Sequence, residues 1–163
     1  MVALPPYRQK RVPTPPTGLT RALFRLPTLL YQARLGWLLR DRFLLIQHVG
    51  RISGRRRHVV LEVVEHDAAS FTVVSGYGDR SQWYRNLREH PATAIVVGRR
   101  HLNARAVPIP SEQGGAILLR YAKHHPRAIR QLLGFTGYET DRSDAGYRSV
   151  GDRLPFLRLI VEG

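Results

Sequence analysis

Two apolar runs, Phe43-Leu44-Leu45-Ile46-Gln47-His48-Val49 and Val59-Val60-Leu61-Glu62-Val63-Val64, flank the segment Gly50-Arg51-Ile52-Ser53-Gly54-Arg55-Arg56-Arg57-His58. Each run has the length of a strand, and the glycines between them mark a turn, so the sequence predicts a hairpin at the rim of a sheet. The same signals recur downstream. Asp67-Ala68-Ala69-Ser70 reads as a turn, Phe71–Ser75 as a third strand, and Thr93–Val97 with Arg100–Ile109 as a second hairpin over Gly98-Arg99. Pro155–Val161 reads as a closing strand. Helices are expected over Ser81–Glu89, where Trp83 and Leu87 share a face, over Glu112–His124 behind Ser111 as N-cap, and from Pro126 through Leu133. A polar connection spans residues 136 to 153. Six short strands with helices inserted among them, and no alternation of parallel-sheet units, predict an α+β protein built on a mainly antiparallel barrel.

The first turn carries chemistry of its own. Arg51, Arg55, Arg56 and Arg57 crowd four guanidiniums beside two glycines and the Ser53 hydroxyl. Guanidinium forks match phosphate and carboxylate oxygens in bidentate fashion, and glycine lets backbone approach a ligand closely. An anion clamp and a solvated basic turn both fit this pattern.

Charge points the same way without naming a partner. Against 12 acidic residues the chain has 26 basic ones, a formal net charge of +14, which favours nucleic acid, a lipid surface or a polyanionic small molecule. Only Lys10 and Lys123 among the basic residues are lysines, a skew that planar anion recognition or base composition would each produce. No helix-turn-helix, zinc-finger or RNA-binding aromatic signature accompanies the clusters Arg55-Arg56-Arg57 and Arg99-Arg100, so a nucleic-acid binder is the rival reading and not the expected one. A salt titration separates the two, because phosphate-backbone binding weakens steeply with salt.

With 163 residues and 43% hydrophobic content the chain suits one domain, over residues 19 to 163, preceded by a proline-rich basic arm over residues 1 to 18. The absence of cysteine removes disulfides and thiolate metal sites. His48, His58, His90, His101, His124 and His125 pair with no carboxylate in a metal-binding spacing, and ordinary surface or interfacial histidines are expected. Leu19, Leu23, Leu26, Leu30, Ala33 and Trp37 recur at helical spacing with arginines between them, predicting an amphipathic helix kinked near Pro27. Such a helix packs on its own barrel or lies on a membrane surface. No apolar run reaches the roughly 20 residues of a spanning helix, and no signal peptide is evident, so a cytoplasmic protein is expected, with peripheral membrane contact as the variant.

The order of motifs adds a resemblance. Gly50-Arg51-x-Ser53-Gly54-x-x-Arg57 after an apolar strand, a strand ending in Ser75-Gly76, and then Trp83-Tyr84-x-Asn86-Leu87-x-x-x-Pro91 resemble the deazaflavin-dependent nitroreductases over roughly residues 40 to 162. That resemblance implies a split β-barrel akin to the flavin-binding pyridoxamine oxidases, the coenzyme F420, and an oxidoreductase. It implies that Arg51, Ser53, Gly54 and Arg57 contact the coenzyme phosphate, with Arg55 and Arg56 beside them, and that His58, Val59 and Val60 bring backbone near the ring. Ser75 and Gly76 would lie beside ring and substrate, while Trp83, Tyr84 and Asn86 would belong to the helix packed on the cavity. Tyr147 falls at the family's active-site tyrosine. Ile52 stands where well-studied members have lysine, and Asp141 and Asp144 where nitroimidazole-reducing members have tyrosines.

Such a coenzyme carries a phosphodiester and a tail of glutamates, so its site must neutralise several charges beside a slot for a flat ring. The expected reaction is hydride transfer from reduced deazaflavin to an electron-poor quinone, enone or nitro compound, with Tyr147 or Ser75 orienting the acceptor or relaying a proton. FMN in place of F420 and a non-catalytic cofactor carrier are the alternatives on the same fold. A homodimer is expected by fold analogy.

Overall fold

The computed structural model describes residues 6–9 and 40–163. The amphipathic helix expected over residues 19 to 40 and most of the arm lie outside the described residues. Nine strands and four α-helices are described: β1 (Tyr7–Gln9), β2 (Phe43–Val49), β3 (Arg56–Glu62), β4 (Glu65–His66), β5 (Ser70–Val74), α1 (Gln82–Glu89), β6 (Ala92–Val97), β7 (Arg100–Ile109), α2 (Ser111–His124), α3 (Ala128–Thr136), β8 (Tyr138–Thr140), α4 (Asp144–Gly151) and β9 (Phe156–Glu162).

Seven strands form one antiparallel sheet in the order β3-β2-β6-β7-β9-β5-β4. The two outermost strands of that ladder, β3 and β4, are neighbours in sequence, joined by Val63 and Val64. Val63 N donates to Arg42 O beside β2, while Val64 N donates to Thr72 O on β5. Adjacent residues thus bond to opposite margins of the sheet, which therefore curls toward a barrel that stays open. Among the described residues β3 pairs along its whole length only with β2, so the barrel is split there. This is the mainly antiparallel α+β barrel that the sequence predicts, split as the resemblance implies.

Alternation along the strands fills the interior. Leu44, Ile46, Val73, Ile95, Val97, Leu157 and Leu159 are fully buried, and Tyr84 and Leu87 of α1 plug one end. A second cluster lies outside the barrel, where Ile117, Leu118 and Tyr121 of α2 and Ile129 of α3 pack on Phe156, Val64 and Leu154. Each such side chain contributes about 1.5–3 kcal/mol by leaving water.

Several boundaries differ from expectation. β3 begins at Arg56 rather than Val59, because Gly50 N donates to Arg55 O and the ladder starts immediately after, with Val49 opposite Arg56 and His48 opposite Arg57. Pro110, not Ser111, stands at the N-cap of α2, extended at ψ 141°, and Ser111 is already helical. The polar connection over residues 136 to 153 holds β8 and α4; Ser143 caps α4 by accepting from Gly146 N at 2.9 Å. Within the arm read as flexible, Tyr7–Gln9 pairs with β8, and the Tyr7 ring meets Tyr138 edge-on while Arg153 stacks 4.5 Å from its centroid. Among the described residues no helix is long and apolar enough to cross a membrane, and no cluster of three His, Asp or Glu is placed to hold a metal.

Candidate functional site

One end of the barrel gathers the turn, α1 and the loop after β5. The turn is tight: Gly54 N donates to Gly50 O at 2.8 Å, and Gly54 takes φ +65°, which glycine adopts without the Cβ clash other residues meet. Ser53 Oγ accepts from Arg55 N at 3.3 Å, holding the turn's second half, and Ile52 stands 88% exposed at its tip.

The four guanidiniums divide into two roles. Arg51 is half-buried and faces α1: its backbone N and Nη1 donate to Asn86 Oδ1 at 3.1 and 3.2 Å, and Nη1 also reaches Gln82 Oε1 at 2.8 Å. Arg55, Arg56 and Arg57 are exposed. Elsewhere Arg42, Arg100, Arg105, Arg120 and Lys123 each pair with a carboxylate. Among the described residues no carboxylate is paired with Arg55, Arg56 or Arg57, so three positive charges sit together in solvent.

Next to the turn, across the outer face of the sheet, runs a groove of about 360 Å³ lined by Gln47, His48, Val49, Arg56, Ala92–Ala94, Asn103 and Glu162. Register explains it: Gln47, Ala94, Asn103 and Glu162 stand opposite one another in a row across β2, β6, β7 and β9, and small Ala94 leaves the depression. His58 extends the row on β3, its Nε2 lying 3.1 Å from Gln47 Nε2. Strand alternation separates the three residues expected near a ring. His58 and Val60 share the outer face with Gln47 and Leu45, whereas Val59 packs against the barrel interior.

Ser75 is fully buried, and its hydroxyl donates to Gly78 O at 2.7 Å while Ser81 Oγ lies 2.7 Å away. In this arrangement the hydroxyl holds the 75–81 loop and does not face an open slot. Gly76 approaches the Phe135 side chain of α3, and Tyr77 meets the Phe135 ring at 6.3 Å. Arg85 Nε donates to Asp79 O at 2.6 Å, so α1 is tied to this loop as well as to the turn. Trp83 packs against the barrel core and stands edge-on to Tyr84, which is itself buried. Tyr147 is half-buried at the margin of the helical cluster, which it shares with Val74 at the end of β5.

His48 is the residue that sequence reading missed. It is 5% exposed, and its Nδ1 lies 3.0 Å from Asn86 Nδ2. Burial first, then the charge of Arg57 and the neighbouring His58, push its pKa below the usual 6.5. The signal was present, since His48 falls in phase with buried Leu44 and Ile46 on β2.

The family model for F420H(2)-dependent quinone reductases matches residues 28–133. The chain belongs to that family. It is an oxidoreductase that uses reduced coenzyme F420, and residues Gly50–Arg57 and the whole of α1 lie inside the matched segment. No curated protein matches the chain. Among solved structures, an F420-H2 dependent reductase (FDR-A) is 21% identical, with 74% of this enzyme and 96% of that chain covered at a TM-score of 0.49. A structure described as a domain-swapped dimer is 19% identical, covering 87% and 99% at 0.50. Atu2129 of Agrobacterium tumefaciens str. C58, of unknown function, is 15% identical, covering 92% and 60% at 0.55, and the likeness to these last two is one of fold.

The donor set of this F420-dependent enzyme fits the coenzyme it uses. Guanidiniums without a carboxylate partner among the described residues, on a turn fastened by Arg51 and Gly54, suit a phosphodiester and carboxylates, and a groove adjoins them through Arg56, which belongs to both.

Proposed function

We propose that Arg55, Arg56 and Arg57, with the Ser53–Gly54 backbone, grip the acidic groups of F420, and that its flat ring lies in the adjoining groove. The observation that carries this reading is the cluster of three exposed guanidiniums without a carboxylate partner among the described residues, on a turn that Arg51 fastens to α1. When bound, the reduced coenzyme supplies a hydride. The chain's own part is to hold the anion, orient the acceptor and exclude water, which is positioning and electrostatics rather than covalent chemistry.

The acceptor class we infer is a small quinone, supported by the family to which the enzyme belongs, with enones and nitro compounds as poorer acceptors. Tyr147, which stands beside Val74 in the helical cluster and not along the groove, is proposed on the resemblance alone to orient it by a hydrogen bond, and Ser75 acts through the loop it holds. We further infer a homodimer, for which the likeness to a domain-swapped dimer speaks, working in the cytoplasm.

The test follows F420H2 absorbance with a naphthoquinone, an enone and a nitroaromatic as acceptors. Quinone turnover above the other two is expected, and Tyr147→Phe should lower kcat/KM for the quinone roughly tenfold, the value of one hydrogen bond near 1.4 kcal/mol. Equal kcat/KM in the variant removes Tyr147 from the reaction, and no turnover with any acceptor overturns the acceptor assignment.

A further inference from the structure

The geometry points to His48 as a positioning residue for the anion-binding turn: through Asn86, a neutral His48 holds Arg51 and so sets the turn's shape. Asn86 is 3% exposed and lies between the two. Its Oδ1 accepts two N–H groups from Arg51, at 3.1 and 3.2 Å, and only an oxygen can take both. The other end of the amide is therefore the NH2 group, and it faces His48 Nδ1 at 3.0 Å. A nitrogen that receives this donor must carry a lone pair, so the ring proton resides on Nε2. The oxygen and one N–H of the amide are thus engaged within the protein, which makes Asn86 a link between barrel and turn.

Protonation of His48 places an N–H against an NH2 group in a buried site. Two donors cannot share that space, so Asn86 must turn or withdraw, and Arg51 loses the acceptor of two of its hydrogen bonds. The charges that face His48 resist the same change: Arg57 and His58 from β3, and Arg51 from the turn behind Asn86. From α1 comes the uncharged Asn86, and from β6 the uncharged Thr93, which lines the groove with it. The sign is opposite to simple attraction. An added positive charge beside an anion site favours the anion, whereas loss of the turn's fastening weakens binding as pH falls below 6.5.

This inference rests on the anion-clamp reading of the turn, and two measurements keep the two apart. In the coenzyme-free protein, long-range proton–nitrogen spectra of His48 should show Nδ1 unprotonated and Nε2 protonated, with a titration midpoint below 6.5, and the Arg51 and Asn86 amide signals should move with that midpoint. A proton on Nδ1, a midpoint at or above 6.5, or Arg51 signals that stay still would overturn it. In F420 titrations, the Kd of the wild-type protein relative to His48→Gln, which keeps an acceptor but does not titrate, should rise as the pH is lowered from 8 through the midpoint those spectra give, about twofold at the midpoint and roughly tenfold one pH unit below it; the ratio cancels the ligand's own ionisation. A constant ratio, or a wild type that binds relatively tighter at low pH, overturns the positioning role. If neither protein binds F420 the clamp reading falls, and the spectra alone judge the coupling of His48 to Arg51.

Discussion

The double variant Arg56→Ala/Arg57→Ala is expected to bind coenzyme F420 at least about 100-fold more weakly than the wild-type protein. Each guanidinium offers a charge-assisted contact worth about 1.5 kcal/mol at an exposed site, or roughly tenfold in Kd, and the two flank the turn from either side, Arg56 toward the groove and Arg57 toward His48, within reach of different acidic groups of one coenzyme. Both side chains are exposed, so the change removes no packing and melting should be nearly unaffected. The turn itself should survive, because Arg51, Gly50 and Gly54 make the bonds that shape it. Wild-type affinity should fall with rising salt, while the variant, stripped of the charges being screened, should show a flatter dependence. Equal affinity in the two proteins would move the anion site elsewhere.

The second large effect concerns stability. Helices α2 and α4 cross with backbone against backbone: a Cβ on Gly114 would overlap the Gly151 carbonyl oxygen and touch the Phe156 ring, and one on Gly151 would overlap Gly114 O. Gly114→Ala forces the two helices apart, and since the obstacle is backbone and not a side chain that swings away, a loss of at least about 3 kcal/mol is expected. For a chain of this size that corresponds to a fall in Tm of roughly 6–12 °C. Gly134→Ala on α3 is the contrast. Nothing lies within 4 Å of its Cβ position, so the change should be neutral or stabilising by up to about 1 kcal/mol through helix propensity. Similar melting of the two variants by calorimetry would contradict the close helix contact.

Gly114 and Gly151 also show why part of the fold was hidden in the sequence. Strands β2, β5, β6 and β9 are legible because each is an apolar run bounded by turn residues, and β7 because Leu102, Ala104 and Ala106 alternate with Asn103, Arg105 and Val107, so local pattern suffices. Helix α4 contains Gly146 and Gly151 and a single buried apolar side chain, Val150, so its propensity argues for a loop. It is a helix because Ser143 caps it and because glycines let it lie against α2, a tertiary reason that no local window contains. β8 is three residues long and owes its pairing to Tyr7–Gln9, far away along the chain. β4 exists only because Val63 and Val64 cross from one sheet margin to the other.

The candidate site divides in the same manner. Arginine crowding and glycine positions made the turn readable as an anion clamp, since both are local. That Arg51 turns inward while Arg55–Arg57 remain outside depends on Gln82 and Asn86, more than thirty residues downstream. The resemblance puts Ser75 beside ring and substrate, and its hydrogen bonds to Gly78 and Ser81 become visible only once the loop is folded. Residue type alone makes His48 an ordinary surface or interfacial histidine, whereas its phase on β2 argues for the interior.

Fluorescence titration of the purified wild-type protein with oxidised F420, and in parallel with FMN, tests the central claim most directly. A turn whose guanidiniums have no carboxylate partner among the described residues, beside a groove, predicts saturable F420 binding at about micromolar Kd, with FMN at least roughly tenfold weaker because it brings a phosphate but no glutamate tail. FMN binding as tightly as F420, or no response to F420 at all, would contradict it.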